Sequence, residues 1–184
     1  AIQTAQPDPS QTATFATGFG GLFFLLNVLL WMELYPDFSR PRDKGLAASP
    51  FWLIAQLGRR LFGKSFTRDP LFAWLTEHGT RAPLPRRWQL DPLWLEGLEQ
   101  PYQLPKTGGW LTRLVHFLRF RLSHSAQSAS ADLLRLNAHI SCDEDHLKVR
   151  FCLAELPLAL RIAGLDRDPG WLPSEGRQLS FEFI

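Results

Sequence analysis

Hydrophobic residues follow three successive patterns along the chain. From Phe15 to Met32 they form a nearly unbroken run without a charged residue, densest over Phe19–Met32. From Ser49 to His124 they recur in helical stripes, and after Leu134 they alternate with polar residues. The first pattern predicts a helix over about Leu22–Leu34 that is apolar on all sides, as helices enclosed by a core are. Gly18, Gly20 and Gly21 stand just before it and allow a tight turn or a close backbone approach. Tyr35-Pro36-Asp37-Phe38-Ser39-Arg40-Pro41 ends it, because proline cannot continue a helix.

The second pattern predicts helices with recognisable starts. Ser49 is an N-cap ahead of Pro50, and Gly63 terminates the stripe formed by Phe51, Ile54, Leu57, Leu61 and Phe62. Asp69-Pro70 repeats the signal for a helix over Leu71–His78, stopped by Gly79, and Asp91-Pro92 repeats it for Leu93–Leu98. Trp110–His124 is amphipathic, with Leu114, Phe117 and Leu118 on one side and Arg113, Arg119 and Arg121 on the other. The third pattern brackets the polar tetrad Asp143-Glu144-Asp145-His146 and predicts a β-hairpin near 134–153. Pairing Cys142 with Leu147, Ile140 with Val149 and Ala138 with Phe151 puts every apolar residue on one face. Leu156–Ile162 fits a helix or a strand, Gly164–Gly170 is a turn, and Gln178–Ile184 is a last strand. The reading is an α+β fold: an N-terminal helical bundle around a buried apolar helix, then a small antiparallel sheet.

Composition fits a globular chain. Apolar residues make up 45% of the 184 and charged residues 21%, enough for a sizeable core. Trp (7) and Phe (14) far outnumber Tyr (2), so large apolar rings carry much of the burial. Polar Ala1–Thr14 reads as a linker, leaving 15–184 as a single domain with a helical part over 15–125 and a sheet part over 131–184. A net charge of +2 argues against nucleic acid as a partner. The run Phe15–Met32 sits at the lower edge of spanning length, but Asn27 and the glycines break it, which argues against a membrane span.

The search for reactive chemistry finds no G-x-S-x-G, H-E-x-x-H or C-x-x-C motif. His139, Cys142, His146 and Cys152 are all zinc-type ligands. The hairpin register nevertheless sends Cys142 to the apolar face and His139 and Cys152 to the polar one. Asp143–Asp145, Asp166, Asp168 and Glu175 could meet a hard cation, but they lack the twelve-residue calcium-loop pattern and serve as turn formers. The sequence thus assigns no catalytic residue, no metal and no cofactor.

Three passages look familiar together: Gly20-Gly21-Leu22-Phe23-Phe24-Leu25-Leu26-Asn27, Leu34-Tyr35-Pro36-Asp37-Phe38-Ser39-Arg40-Pro41, and Ala163-Gly164-Leu165-Asp166-Arg167-Asp168-Pro169-Gly170-Trp171-Leu172-Pro173. They resemble uncharacterised proteins encoded in bacterial gene clusters for extracellular contractile injection systems, which are phage-tail-like particles. The first passage is also loosely similar to an apolar motif of the tape-measure-like proteins in those clusters. The resemblance implies a non-enzymatic structural or assembly role in a phage-tail-like particle. Its partners would be other contractile injection system proteins, with homo-oligomerisation allowed, and its location the cytoplasm, where such particles assemble, or the released particle itself. The interaction candidates it picks out are Gly20, Gly21, Asn27, Tyr35, Asp37, Phe38, Arg40, Asp166, Arg167, Asp168 and Trp171. Two alternatives stand beside it. One is a small-molecule-binding module or enzyme with a pocket between helices and sheet, where His116, His139, Asp166 and Asp168 come first. The other is membrane attachment through 15–32.

Overall fold

In the computed structural model the apolar run becomes a layer between a sheet and a group of helices. The structure describes residues 13–35, 46, 48–79, 108–126 and 133–184. Strand β1 (Ala13–Thr17) leads into a 3-10 turn over Gly20–Phe23, which continues as helix α1 (Phe24–Trp31). Helices α2 (Pro50–Phe62), α3 (Lys64–Thr67), α4 (Pro70–His78) and α5 (Trp110–Ala126) follow. The C-terminal part holds β2 (Ala138–Cys142), β3 (His146–Phe151), a short helix α6 (Leu158–Ile162), β4 (Gly170–Leu172) and β5 (Arg177–Phe183).

Adjacent rings show how the layers join. Phe24 stacks on Phe151 of β3 at 4.9 Å and meets Phe181 of β5 edge-on at 5.1 Å. Its neighbour Phe23 meets Phe51 of α2 at 6.5 Å. Leu22, Leu25 and Leu29 are fully enclosed. The expected buried helix is therefore present, but it is shorter than Leu22–Leu34. Its first turn is 3-10, and it ends at Trp31 in a Schellman cap. There Leu34 N–H donates to Leu29 O at 3.1 Å and Glu33 N–H to Leu30 O at 2.9 Å. Glu33 takes the left-handed conformation this requires, at φ 53°. The stop precedes Pro36, which lies outside the described residues.

Why the run starts in a 3-10 turn is visible at the glycines. Gly20 N–H donates to Leu136 O at 2.8 Å. A Cβ on Gly20 would overlap Cβ of Ala138, and one on Gly21 would lie 2.8 Å from Cα of Leu134. Only residues without a side chain let the two backbones cross this closely.

The helix starts follow the sequence rules. Ser49 accepts from Trp52 N–H at 3.3 Å with Pro50 in the first turn, and Asp69 accepts from Leu71 N–H at 2.9 Å with Pro70 behind it. Asp69 also ties β1 to the helices: Thr17 Oγ1 donates to its Oδ1 at 2.6 Å, and Gly18 N–H to its Oδ2 at 3.1 Å. The helix expected over Leu93–Leu98 lies outside the described residues.

The hairpin pairs in the expected register, with Cys142 opposite Leu147, Ile140 opposite Val149 and Ala138 opposite Phe151. β2 begins only at Ala138, because the carbonyl of Leu136 is already committed to Gly20. Two features of the sheet depart from the sequence reading. β1, beginning at Ala13 inside the stretch read as linker, pairs antiparallel with β2 and sets Phe15 opposite Ile140. The sheet is also mixed, not antiparallel: its order is β1-β2-β3-β5-β4, and β3 runs parallel to β5. The chain leaves β3, forms α6, lays down β4 at the edge and inserts β5 between the two. The apolar face carries Ile140, Leu147, Val149, Leu179 and Phe181 against the helices. The opposite face is polar, and there Glu182 pairs with Lys148 at 2.8 Å and Arg150 at 3.0 Å.

Candidate interaction groove

Asn27 is the polar residue in the middle of α1, and its position organises a groove. Its Nδ2 donates to the carbonyls of Leu165 at 2.9 Å and Arg167 at 2.7 Å. Those carbonyls are presented by the loop after α6. Gly164 adopts φ 66° there, and Leu165 N–H donates to Leu160 O at 3.1 Å and Gly164 N–H to Arg161 O at 3.0 Å. This is a second Schellman cap, here with the glycine such a turn favours. One amide thus clamps the 163–168 loop to α1.

The clamp leaves a groove of about 540 Å³ between α1, α5 and this loop. Trp31 lies one helical turn beyond Asn27 on the same face of α1 and is 50% exposed. Ile162, the last residue of α6, is 76% exposed on the other wall. Val28 and Leu122 form a buried apolar floor. Arg121 of α5 places its guanidinium 4.8 Å over the Trp31 ring, a cation–π contact. Arg167 lines the loop side. The carboxylates near the groove are engaged: Asp166 lies 3.6 Å from Arg161, and Asp168 Oδ1 accepts from Phe181 N–H at 2.6 Å.

A second polar cluster joins the layers elsewhere. Glu175, in the turn between β4 and β5, lies close enough to the buried hydroxyl of Ser49 at the start of α2 for that hydroxyl to favour its charged form. Burial raises the Glu175 carboxyl above the usual glutamate range, against the lowering effect of Ser49, Ser174 and Arg177. Among the described residues the buried Tyr35 hydroxyl has no hydrogen-bond partner, and burial, with Glu175 adding, pushes its phenol up. Arg177 donates to Cys142 Sγ; burial, the largest influence, pushes that thiol up.

The structure brings Asn27, Arg167 and Asp168 from the sequence candidates to the groove, with Asp166 in the same loop but turned to Arg161. It does not bring the others to the groove. Gly20 and Gly21 are buried packing positions against 133–138 and offer no surface. Tyr35 belongs to the Glu175 cluster. Trp171 stands half-exposed on the edge strand β4. Asp37, Phe38 and Arg40 lie outside the described residues. His116 is exposed on α5, and His139 is exposed on the polar sheet face. Cys142 is buried and Cys152 exposed, both as free thiols. Among the described residues no group of three His, Cys, Asp or Glu could hold a metal ion, and no helix is long and apolar enough to cross a membrane.

Sequence reasoning missed Trp31 and Ile162, and read Arg121 with Arg113 and Arg119 as a solvated helix face. The spacing of Asn27 and Trp31 was a usable signal, since the same helix face carries both. Arg121 and Ile162 join them only through tertiary folding. No protein-family model, curated protein or solved structure matches the chain.

Proposed function

We propose that this protein is a non-enzymatic structural or assembly module of a phage-tail-like contractile injection system, working through protein–protein contacts in the cytoplasm, where such particles assemble. The particle is suggested by the three resembling passages. Contact as the mode of action rests on one observation: two of those passages meet at Asn27 and frame a groove with half-exposed Trp31 and exposed Ile162 on its walls. Large apolar side chains left in water beside a concave floor are surfaces that partners cover.

Co-expression of a tagged chain with the sheath, tube and baseplate proteins of such a system tests the proposal. The expected result is retention of at least one of them through size-exclusion chromatography, and its loss in a Trp31→Ser, Ile162→Ser double variant that keeps its melting temperature. A chain that retains none of them overturns the assignment. The groove volume also fits a small ligand, since such sites span roughly 300–1,000 Å³. A thermal-shift screen of small molecules tests that second reading, and stabilisation abolished by Trp31→Ser would favour it.

A further inference from the structure

We infer that the groove takes an acidic, apolar segment of another protein chain, with large apolar side chains on its floor and carboxylates against Arg121 and Arg167. This rests on the docking reading above and specifies the chemistry of what docks.

Charge decides the sign of the partner. Asp166 is paired with Arg161. Asp168, whose Oδ1 accepts from the backbone of β5, is among the described residues the one carboxylate lining the groove against the two guanidiniums of Arg121 and Arg167. Among the described residues, Arg121 and Arg167 form no ion pair. The cation–π contact with Trp31 holds the Arg121 head group at the groove wall. The Arg167 guanidinium lies beside Gly164, where a Cβ would be 3.4 Å from its Nε. Both are therefore kept near the rim while their donors remain available. Arginine suits such a rim because its planar fork binds a carboxylate through two parallel hydrogen bonds.

The shape of the apolar surface indicates a polypeptide. Leu158 is 69% exposed and stands four residues before Ile162, on the same face of α6. The apolar wall therefore continues past the groove along α6, farther than a compact ligand reaches. Nucleic acid fits poorly, because a net charge of +2 and a floor of Val28 and Leu122 offer little to a phosphate backbone.

A random-peptide display selection on the full chain tests the inference. Enriched peptides should combine Leu, Ile, Phe or Trp with Asp or Glu. Their affinity should fall about tenfold in an Arg121→Glu, Arg167→Glu double variant, and by a similar factor when the peptide carboxylates become amides. Higher salt should weaken binding. Arg167 is exposed and Arg121 half-buried, and an unchanged melting temperature would show that the variant is folded. Peptides that bind through Trp31 but lack acidic residues and ignore the arginine reversal would overturn the acidic inference while leaving the docking reading intact. A selection yielding no peptide sensitive to Trp31→Ser would overturn both. Single-stranded DNA competing for the groove with the same arginine dependence would overturn the assignment to a protein partner.

Discussion

Single atoms decide several features of this fold. At Gly20 and Gly21 the missing Cβ is the space through which one backbone passes another. Gly21→Ala should therefore lower stability by about 1–3 kcal/mol or more, because the Leu134 backbone cannot move aside as a flexible side chain would. A chemical-denaturation midpoint measures it. Asn27 acts through one nitrogen that serves two carbonyls. Asn27→Ala should cost about 0.5–1.5 kcal/mol per bond lost, less at the exposed Arg167 carbonyl, where water can take the donor's place. Asn27→Asp should cost more, since it replaces the donor by a charged acceptor facing two oxygens. Faster amide exchange across 163–168 in both variants would show that the clamp is what failed. Sequence reading placed Asn27, Arg167 and the glycines among the candidates without separating their roles. Glycine permits both exposed turns and buried crossings, and only the neighbours at 133–138 decide between them.

Elements here are delimited by short-range chemistry, which is why so many were legible. Ser49-Pro50, Asp69-Pro70, Gly63 and Gly79 mark helix ends because their partners lie within a few residues. The hairpin register was equally readable, since a slip by one residue would expose Ile140 and Val149. β1 was not readable. Its partner lies far along the chain, and ATFAT carries a weak strand signal. β4 was hidden by its length of three residues, although its partner β5 follows directly after a turn, and the parallel β3–β5 pair was hidden by the α6 and β4 segments that intervene. Asp69 couples a local signal to a distant one, so Asp69→Ala should remove about 1–3 kcal/mol, more than a simple cap, because β1 loses its anchor too. Comparing it with Thr17→Val by denaturant titration separates the two contributions. Glu175 joins the β4–β5 turn to α2 with a raised carboxyl. A raised native value means the folded state holds the proton more tightly. This contribution to stability is fully present below the ordinary glutamate range and falls away as pH rises through the raised value. Glu182, held low mainly by Lys148 and Arg150, has the opposite sign: its contribution is lost as pH falls. Denaturation midpoints across pH should show Glu175→Gln flattening the loss on the rising side and Glu182→Gln removing part of the loss on the acid side.

At the scale of the molecule, the sheet reaches across almost the whole chain. β1 sits beside β2, with Phe15 opposite Ile140, and β5 enters between two strands already laid down before it. The α+β class was legible because it needs only the count and order of periodic segments. The groove was not, because it is assembled from α1, α5 and the loop after α6, which no sequence window spans. This arrangement also governs the order of events during synthesis. The strand and oily helix made first can find neither their neighbouring strand nor the rings of Phe151 and Phe181 until most of the chain has been made. A ribosome stalled partway should therefore hold a sticky nascent chain that binds holdase chaperones, and release should come only once the residues of β5 clear the exit tunnel.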